Sequence, residues 1–585
     1  MRGGLLPRLA GRRGRGQNGY VAIVAAMFTL FMFGMAAFSV DVGRWYLTAR
    51  ETQRAADAAA LAGVSYLPGN QTGAFAAAQD YATRNDMTNG SDGVVVTPAI
   101  GDSPTKLQVT VAQPVQSVFG SLLGIDSATI TRSATADYAG PVPLGSPCNE
   151  YGNDPESSGA GNGNRSSNCS GSAAFWANVG SPGATKSYGD AYQDNVCTSS
   201  IDGCTDGTTN ANYDSNGYFY TITLSEAVDN LAIEVYDPAL INVGDACETQ
   251  NSFDAKLATA AAGSDTQNPY VTDAKTRYAE GATSVYCNGD IGYSKQSSGY
   301  TGQVATNYTV RDPGPNPWDP TSYPIRGVGD SEATCEGTGV YPGYSGDLSK
   351  ALDSSTTAYA TQPAQTTANL APAANLSKGY VASVFRQWVR ICTISSASAG
   401  TYMIQVNTNG LGFDAASGHN RFAIRAYSPT DSTAKDSISV SGYQKMAMYG
   451  NLPGGTSTFH LARVPSGAAG QVLNVSLFDV GDIGVTGKIQ VVAPTDSGVT
   501  FSDCKATGAY AATLSDCQLT NVNYSTYNGK WENIAVTIPS GFTCDDLDTT
   551  KCWVMLKFDF NTATSPSDTT SWTASIEGDP VRLIE

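Results

Sequence analysis

Twenty consecutive residues, Val21 to Val40, carry no charge. As a helix they are long enough to cross ~30 Å of hydrocarbon. The apolar run stops at Asp41, but the helical spacing does not. Val42, Trp45, Ala49, Thr52, Ala56, Ala59 and Gly63 recur at alternating intervals of three and four, which puts them on one helix face. On the other faces Asp41 and Arg44, Glu51 and Arg54, and Arg54 and Asp57 stand three residues apart, a spacing that suits a solvated helix. Nothing interrupts the pattern from Val21 to Gly63, and Pro68 and Gly69 end it. The pattern therefore predicts a transmembrane helix that continues as an extracytoplasmic stalk over 19–67, a rod of roughly 65 Å. The stripe becomes small-sided towards its end, so a neighbour could approach closely. That neighbour is either a partner helix or the protein's own next domain, and the pattern favours neither.

Farther along, the hydrophobic period changes to two. "GYFYTITLSEAVDNLAIEVYDPA" (217–239) and "TFHLARVPSGAAGQVLNVSLFDVGD" (458–482) share an aromatic-bearing strand, a turn and a second strand ending in Asp. The second strands run Leu231 to Asp237 and Leu473 to Asp479, and they read as an internal repeat. Alternating runs at Tyr402–Thr408, Arg421–Tyr427, Gly487–Val492, Ile534–Ile538 and Val554–Phe560 extend the all-β pattern. "VFRQWVRICTISSASAGTYMIQVNTN" (384–409) reads as a strand pair, and "DTTSWTASIEGDPVRLIE" as a last strand closing a sheet. The expected partition is a linker over 141–170, a β-sandwich unit over 171–255 and a loop-rich insertion over 256–375. A second β-sandwich unit follows over 376–495, then a C-terminal disulfide-bonded β region over 496–585.

Composition supports a mainly-β exported region. Only 15% of residues are charged and Gly is abundant at 62, a mix that suits turn-rich β domains. The net charge of −18 opposes binding to nucleic-acid phosphate. All twelve cysteines follow residue 147, which fits disulfides in an oxidising compartment. Zinc would want Cys or His pairs two to four residues apart; the nearest pair, Cys197 and Cys204, has six residues between. The shortest loops would be closed by Cys197–Cys204, Cys504–Cys517 and Cys544–Cys552. Asp237, Asp479 and Asp482 sit in turns after strands, where they could hold calcium or simply accept backbone N–H bonds. With two histidines, His419 in an apparent "SGHNR" turn and His460 in a strand, and no G-x-S-x-G elbow, no catalytic or cofactor-binding set stands out.

Residues 1–18 carry five arginines and no acid, which orients the N-terminus on the cytoplasmic side of a membrane and the bulk of the chain outside. The rival reading is a cleaved signal, with a small-x-small site at Gly34 and Ala36. Taken together, "RGQNGYVAIVAAMFTLFMFGMAAFSVDVGRWYLTARETQRAADAAALAGV" resembles the N-terminal signature of the TadG-like proteins of Flp-type, or tight-adherence, pilus assembly. The resemblance rests on the apolar span, "DVGRWY", and the run from Gln53 to Ala62, with Asp41, Arg44, Trp45, Gln53, Ala56, Asp57 and Ala59 as its helix-packing signature. It extends to about Gly140 through a small α+β domain over 68–140: a helix at Ala74–Arg84, strands at Val94–Val96, Leu107–Val111 and Ala128–Ala136, and a short helix at Val115–Leu123. Pilins of this system carry Glu at the fifth mature position. A cut after Gly16 or Gly19 would place Val21 or Val24 there, so the resemblance implies a non-polymerising accessory member. Expected partners are the bilayer and pilus-platform or pilin-like proteins. The alternative is a surface adhesin that binds a glycan or protein ligand and uses the same anchor.

Overall fold

A computed structural model describes residues 18–67, 71–101, 105–138, 141–154, 164–167, 169, 175–236, 306–314, 316, 318–326, 338–341, 388–408, 418–452, 455–481, 483–546, 548–560, 567–577 and 581–584. It opens with one unbroken helix, α1 (Asn18–Val64), of 47 residues, about 70 Å long. Its first half is exposed all round: Val21, Phe28, Phe31 and Val40 face outward. Its second half is buried on one side, where Ala55, Ala56, Ala59, Ala60 and Val64 are fully covered.

The small-residue stripe packs on the protein itself. Helix α2 (Gln71–Arg84) buries Ala74, Ala78 and Ala82, one per turn. A methyl group added at Gly63 would stand 2.6 Å from the Ala74 carbonyl and 2.4 Å from Leu107. The two helices therefore meet at near backbone contact, which only small residues permit. Beneath them lies an antiparallel sheet of β1 (Val95–Ile100), β2 (Lys106–Gln116) and β3 (Ser127–Tyr138). Val96, Leu107, Val109, Val111, Ala134 and Ala136 supply the sheet's share of this core. The short helix expected over Val115–Leu123 shrinks to one 3-10 turn, Gly120–Leu123, because Val115 and Gln116 stay paired in β2.

A fourth strand joins this sheet from the far end of the chain. Val581–Ile584 pairs with β3, Val581 opposite Tyr138 and Ile584 opposite Thr135. The tail is thus not one closing strand. Ser567–Ile576 lies inside a different sheet, between Lys445–Asn451 and Val472–Phe478.

That second sheet is the spine of the body. Its strands run in the order Trp388–Ala397, Val228–Tyr236, His419–Tyr427, Phe175–Gly180, Lys445–Asn451, Ser567–Ile576, Val472–Phe478, Trp531–Thr537, Cys504–Gly508 and Ala512–Leu514, with Glu150–Tyr151 pairing beside His419–Tyr427. A five-stranded sheet contains Ile438–Tyr443, Tyr218–Leu224, Gly400–Asn407, Thr306–Arg311 and Thr338–Tyr341. A four-stranded one contains Thr456–Arg463, Trp553–Asp559, Gly487–Val492 and Gln518–Val522. Side chains from all three sheets form one continuous apolar cluster.

Both copies of the repeated pattern make the same move. Tyr218–Leu224 lies in the five-stranded sheet and Val228–Tyr236 in the spine; Thr456–Arg463 lies in the four-stranded sheet and Val472–Phe478 in the spine. The strands within 384–409 do not pair with each other. Trp388–Ala397 pairs with Val228–Tyr236, and Gly400–Asn407 with Tyr218–Leu224. A two-residue connection between them reads locally as a hairpin, but the chain changes layers there instead. Of the 256–375 interval, Thr306–Arg311 is a strand buried at every position.

Disulfides join Cys148 to Cys169, Cys197 to Cys204, Cys504 to Cys517 and Cys544 to Cys552; Cys392 is also disulfide-bonded.

Replacing Ala59 by Leu should destabilise the N-terminal sheet by about 1–3 kcal/mol, because the added bulk has no room. Arg54→Leu, on the exposed side of the same helix, should leave it unchanged. Thermal unfolding of the two variants in detergent checks this; equal melting temperatures would contradict the packing.

Candidate functional site at the helix exit

Asp41 ends the uncharged run, yet it is 2% exposed. Its carboxylate accepts backbone N–H bonds from Val118 (2.7 Å), Phe119 (2.9 Å) and Gly120 (2.7 Å). These amides open the loop between β2 and β3. Burial works against the charge on Asp41, but the three donors and nearby Arg44 outweigh it and hold the pKa below the ordinary value of 3.8. One acidic side chain thus ties α1, where the apolar span ends, to a loop almost eighty residues later.

The rest of the signature lines the same helix. Arg44 is exposed, and Trp45 is half-buried with its ring 6.4 Å from Phe38. Tyr46 lies beneath Arg50, 5.4 Å from the guanidinium. Gln53 donates to Asp57 (2.8 Å) and to the carbonyl of Ser133 on β3 (3.1 Å). Ala56 and Ala59 are the buried wall facing α2 and the sheet. Sequence reasoning missed Val118, Phe119 and Gly120. Their signal was present in "VFGSLLGI", an uncharged stretch where a surface loop is usually polar.

A cavity of about 630 Å³ lies between α1 and this loop. Leu30, Phe33, Ala37, Phe38 and Trp45 line it from the helix, and Phe119, Gly120 and Ile125 from the loop.

The other candidate residues fall in the body. Asp479 is buried, with φ of 60°, and its carboxylate accepts the Gly529 N–H. Its own N–H donates to the Lys530 carbonyl at 2.9 Å. Asp237 and Asp482 lie outside the described residues. Asp496, Cys544 and Cys552 approach one another closely, but the two sulfurs are bonded to each other and are not free to ligate.

His419 opens a buried strand rather than lying in a turn. Its Nε2 is 2.9 Å from Asp194 and its Nδ1 3.2 Å from Asn178. Burial, with Arg421 nearby, lowers the His419 pKa, and burial together with Asp190 raises the Asp194 pKa. The pair is thus a hydrogen-bonded unit buried inside the core. His460 packs edge-on to Trp553 at 5.4 Å, and burial lowers its pKa to about 4. Trp176, Trp553 and Trp572 are buried, so these large aromatics serve the core rather than an open binding face.

One helix is long and apolar enough to cross a membrane. Its second half packs on a sheet and leads into a β-rich, disulfide-bonded body. Residues 19–80 match the family model described as "Putative Flp pilus-assembly TadE/G-like". That interval contains nearly all of α1 and most of α2, including Asp41 and the alanine wall. No curated protein and no solved structure matches the chain.

Two pH responses follow. Asp41 has a lowered pKa, so its hold on the loop is complete above pH 3.8 and is lost as pH falls through its lower folded value. Hydrogen exchange should show protected amides at Val118, Phe119 and Gly120 near neutral pH, lost in Asp41→Ala; protection unchanged in that variant would contradict the contact. Glu532 has the opposite sign: burial raises its pKa to about 7, against the Tyr510 N–H it accepts. Its stabilising contribution is complete below the ordinary 4.5 and is lost as pH rises through 7. Glu532→Gln should therefore raise the melting temperature more at pH 8 than at pH 5. An equal shift at both would contradict the assignment.

Proposed function

We propose that this chain is a non-enzymatic, membrane-anchored component of Flp-type (tight-adherence) pilus assembly. It crosses the membrane once through Val21–Val40, with the arginine-rich leader on the cytoplasmic side. A small α+β unit over 68–140 stands at the membrane, and sandwich-like β units extend beyond it. The observation that carries the reading is the TadE/G-like match over 19–80, laid on a helix whose first half is exposed and apolar and whose second half is packed.

The packing favours an accessory role over polymerisation. A pilin-like subunit needs its helix free to pack against copies of itself. Here Ala55, Ala56, Ala59 and Ala60 are covered by the protein's own α2 and sheet. The missing Glu near the start of the apolar run points the same way. What remains open on α1 is the apolar half, which suits lipid or helices of the assembly platform.

In-frame deletion should abolish or shorten surface pili in electron micrographs, and the tagged full chain should copurify with pilus-platform proteins from detergent extracts. Normal piliation in the deletion strain, with loss of surface binding instead, would overturn the assembly role and favour the adhesin alternative.

A further inference from the structure

An ordinary surface loop exposes its polar backbone to water and keeps apolar side chains inward. The loop between β2 and β3 does the reverse. Its stretch from Ser117 to Ile125 has no charged residue. Val118, Phe119 and Ile125 are 47%, 39% and 46% exposed. Six of its amides are nevertheless satisfied within the protein. Ser117 donates to the Asp126 carbonyl, Gly124 to Ser121 and Ile125 to Gly120, while Val118, Phe119 and Gly120 donate to Asp41. Non-helical backbone is tolerated at membrane depth only where the protein itself satisfies it, as these contacts do for six amides of the loop.

The position of the loop selects the occupant of the cavity beside it. The wall opposite Phe119 and Ile125 is formed by Leu30, Phe33 and Phe38, which belong to the apolar span itself. Whatever surrounds the span also fills this groove. Trp45 and Tyr46 follow immediately, as aromatic residues do at a membrane–water boundary, and Arg44 is exposed at the same level, able to meet lipid phosphate.

We propose that the loop 117–126 is a membrane foot. Phe119, Val118 and Ile125 enter the leaflet from which α1 emerges, and lipid acyl chains fill the groove between loop and helix. The Asp41 carboxylate holds the foot at that depth. The β body is then seated on the membrane at two places, the helix and the foot, which stops it from swinging about α1. This inference rests on the anchoring proposed above.

Spin labelling of the full chain in phosphatidylethanolamine–phosphatidylglycerol vesicles tests it. Single cysteines are introduced by Ile125→Cys and, separately, Val118→Cys. Leu30→Cys marks the span and Ser502→Cys the aqueous body; oxygen and a water-soluble nickel chelate serve as collision probes. The foot requires the labels at 118 and 125 to prefer oxygen, as the label at 30 does and the one at 502 does not. Water-like collisions at 118 and 125, with lipid-like collisions at 30, would overturn the foot and leave the anchor standing. Low access to both probes would mean that a protein segment fills the groove, and would also overturn it. Water-like collisions at 30 would remove the anchor and the foot together.

Discussion

Three backbone amides on one carboxylate set the geometry from which the rest of the molecule extends. Asp41 is placed where α1 stops being uniformly apolar, and its partners are the first amides of a loop that only long-range folding can bring there. A carboxylate buried at that point would be costly without donors. With three of them, and with Arg44 one turn on, it stays charged and fixed. The contact sets both the height and the rotation of the helix relative to the sheet. The alanine wall completes the constraint from the other end, since Gly63 allows α2 almost to touch α1.

Because α1 is both apolar span and core wall, anchoring and folding are coupled in one element. A flexible linker would let the β body swing about the apolar span; a continuous helix does not. The C-terminal strand strengthens this arrangement. Val581–Ile584 returns to the edge of β3, so the large body is tied to the N-terminal sheet at both ends of its chain. Tyr138, the last residue of β3, also packs edge-on to Trp318 at 4.9 Å.

The N-terminal quarter was largely legible, and the body less so. A helical period sustained from Val21 to Gly63 is a local property, so α1 could be read directly. The alternating runs at Gly487–Val492 and Val554–Phe560 were readable for the same reason. Which sheet each strand joins is not local. Trp388–Ala397 and Gly400–Asn407 look like a hairpin but belong to different sheets, because the side chains of each match partners far away in sequence. The tail misled similarly: Trp572 is fully buried in the spine, whereas Val581–Ile584 leaves for the first sheet. His419 read as a turn residue because Gly418 and Asn420 flank it, but burial beside Asp194 makes it part of a strand. At the helix exit, Asp41 and Trp45 were visible as a signature. Their partners in the loop were not, since a carboxylate's acceptance of distant amides leaves no periodic trace.

The central claim is that α1 passes unbroken from the apolar span into the packed sheet. A spin–spin distance distribution between labels at Phe31→Cys and Thr83→Cys, measured on the full chain in lipid vesicles, tests it most directly. One narrow distance is expected, unchanged between vesicles and detergent. A broad distribution, or a mean that moves between the two environments, would show a hinge at the membrane exit and contradict the account.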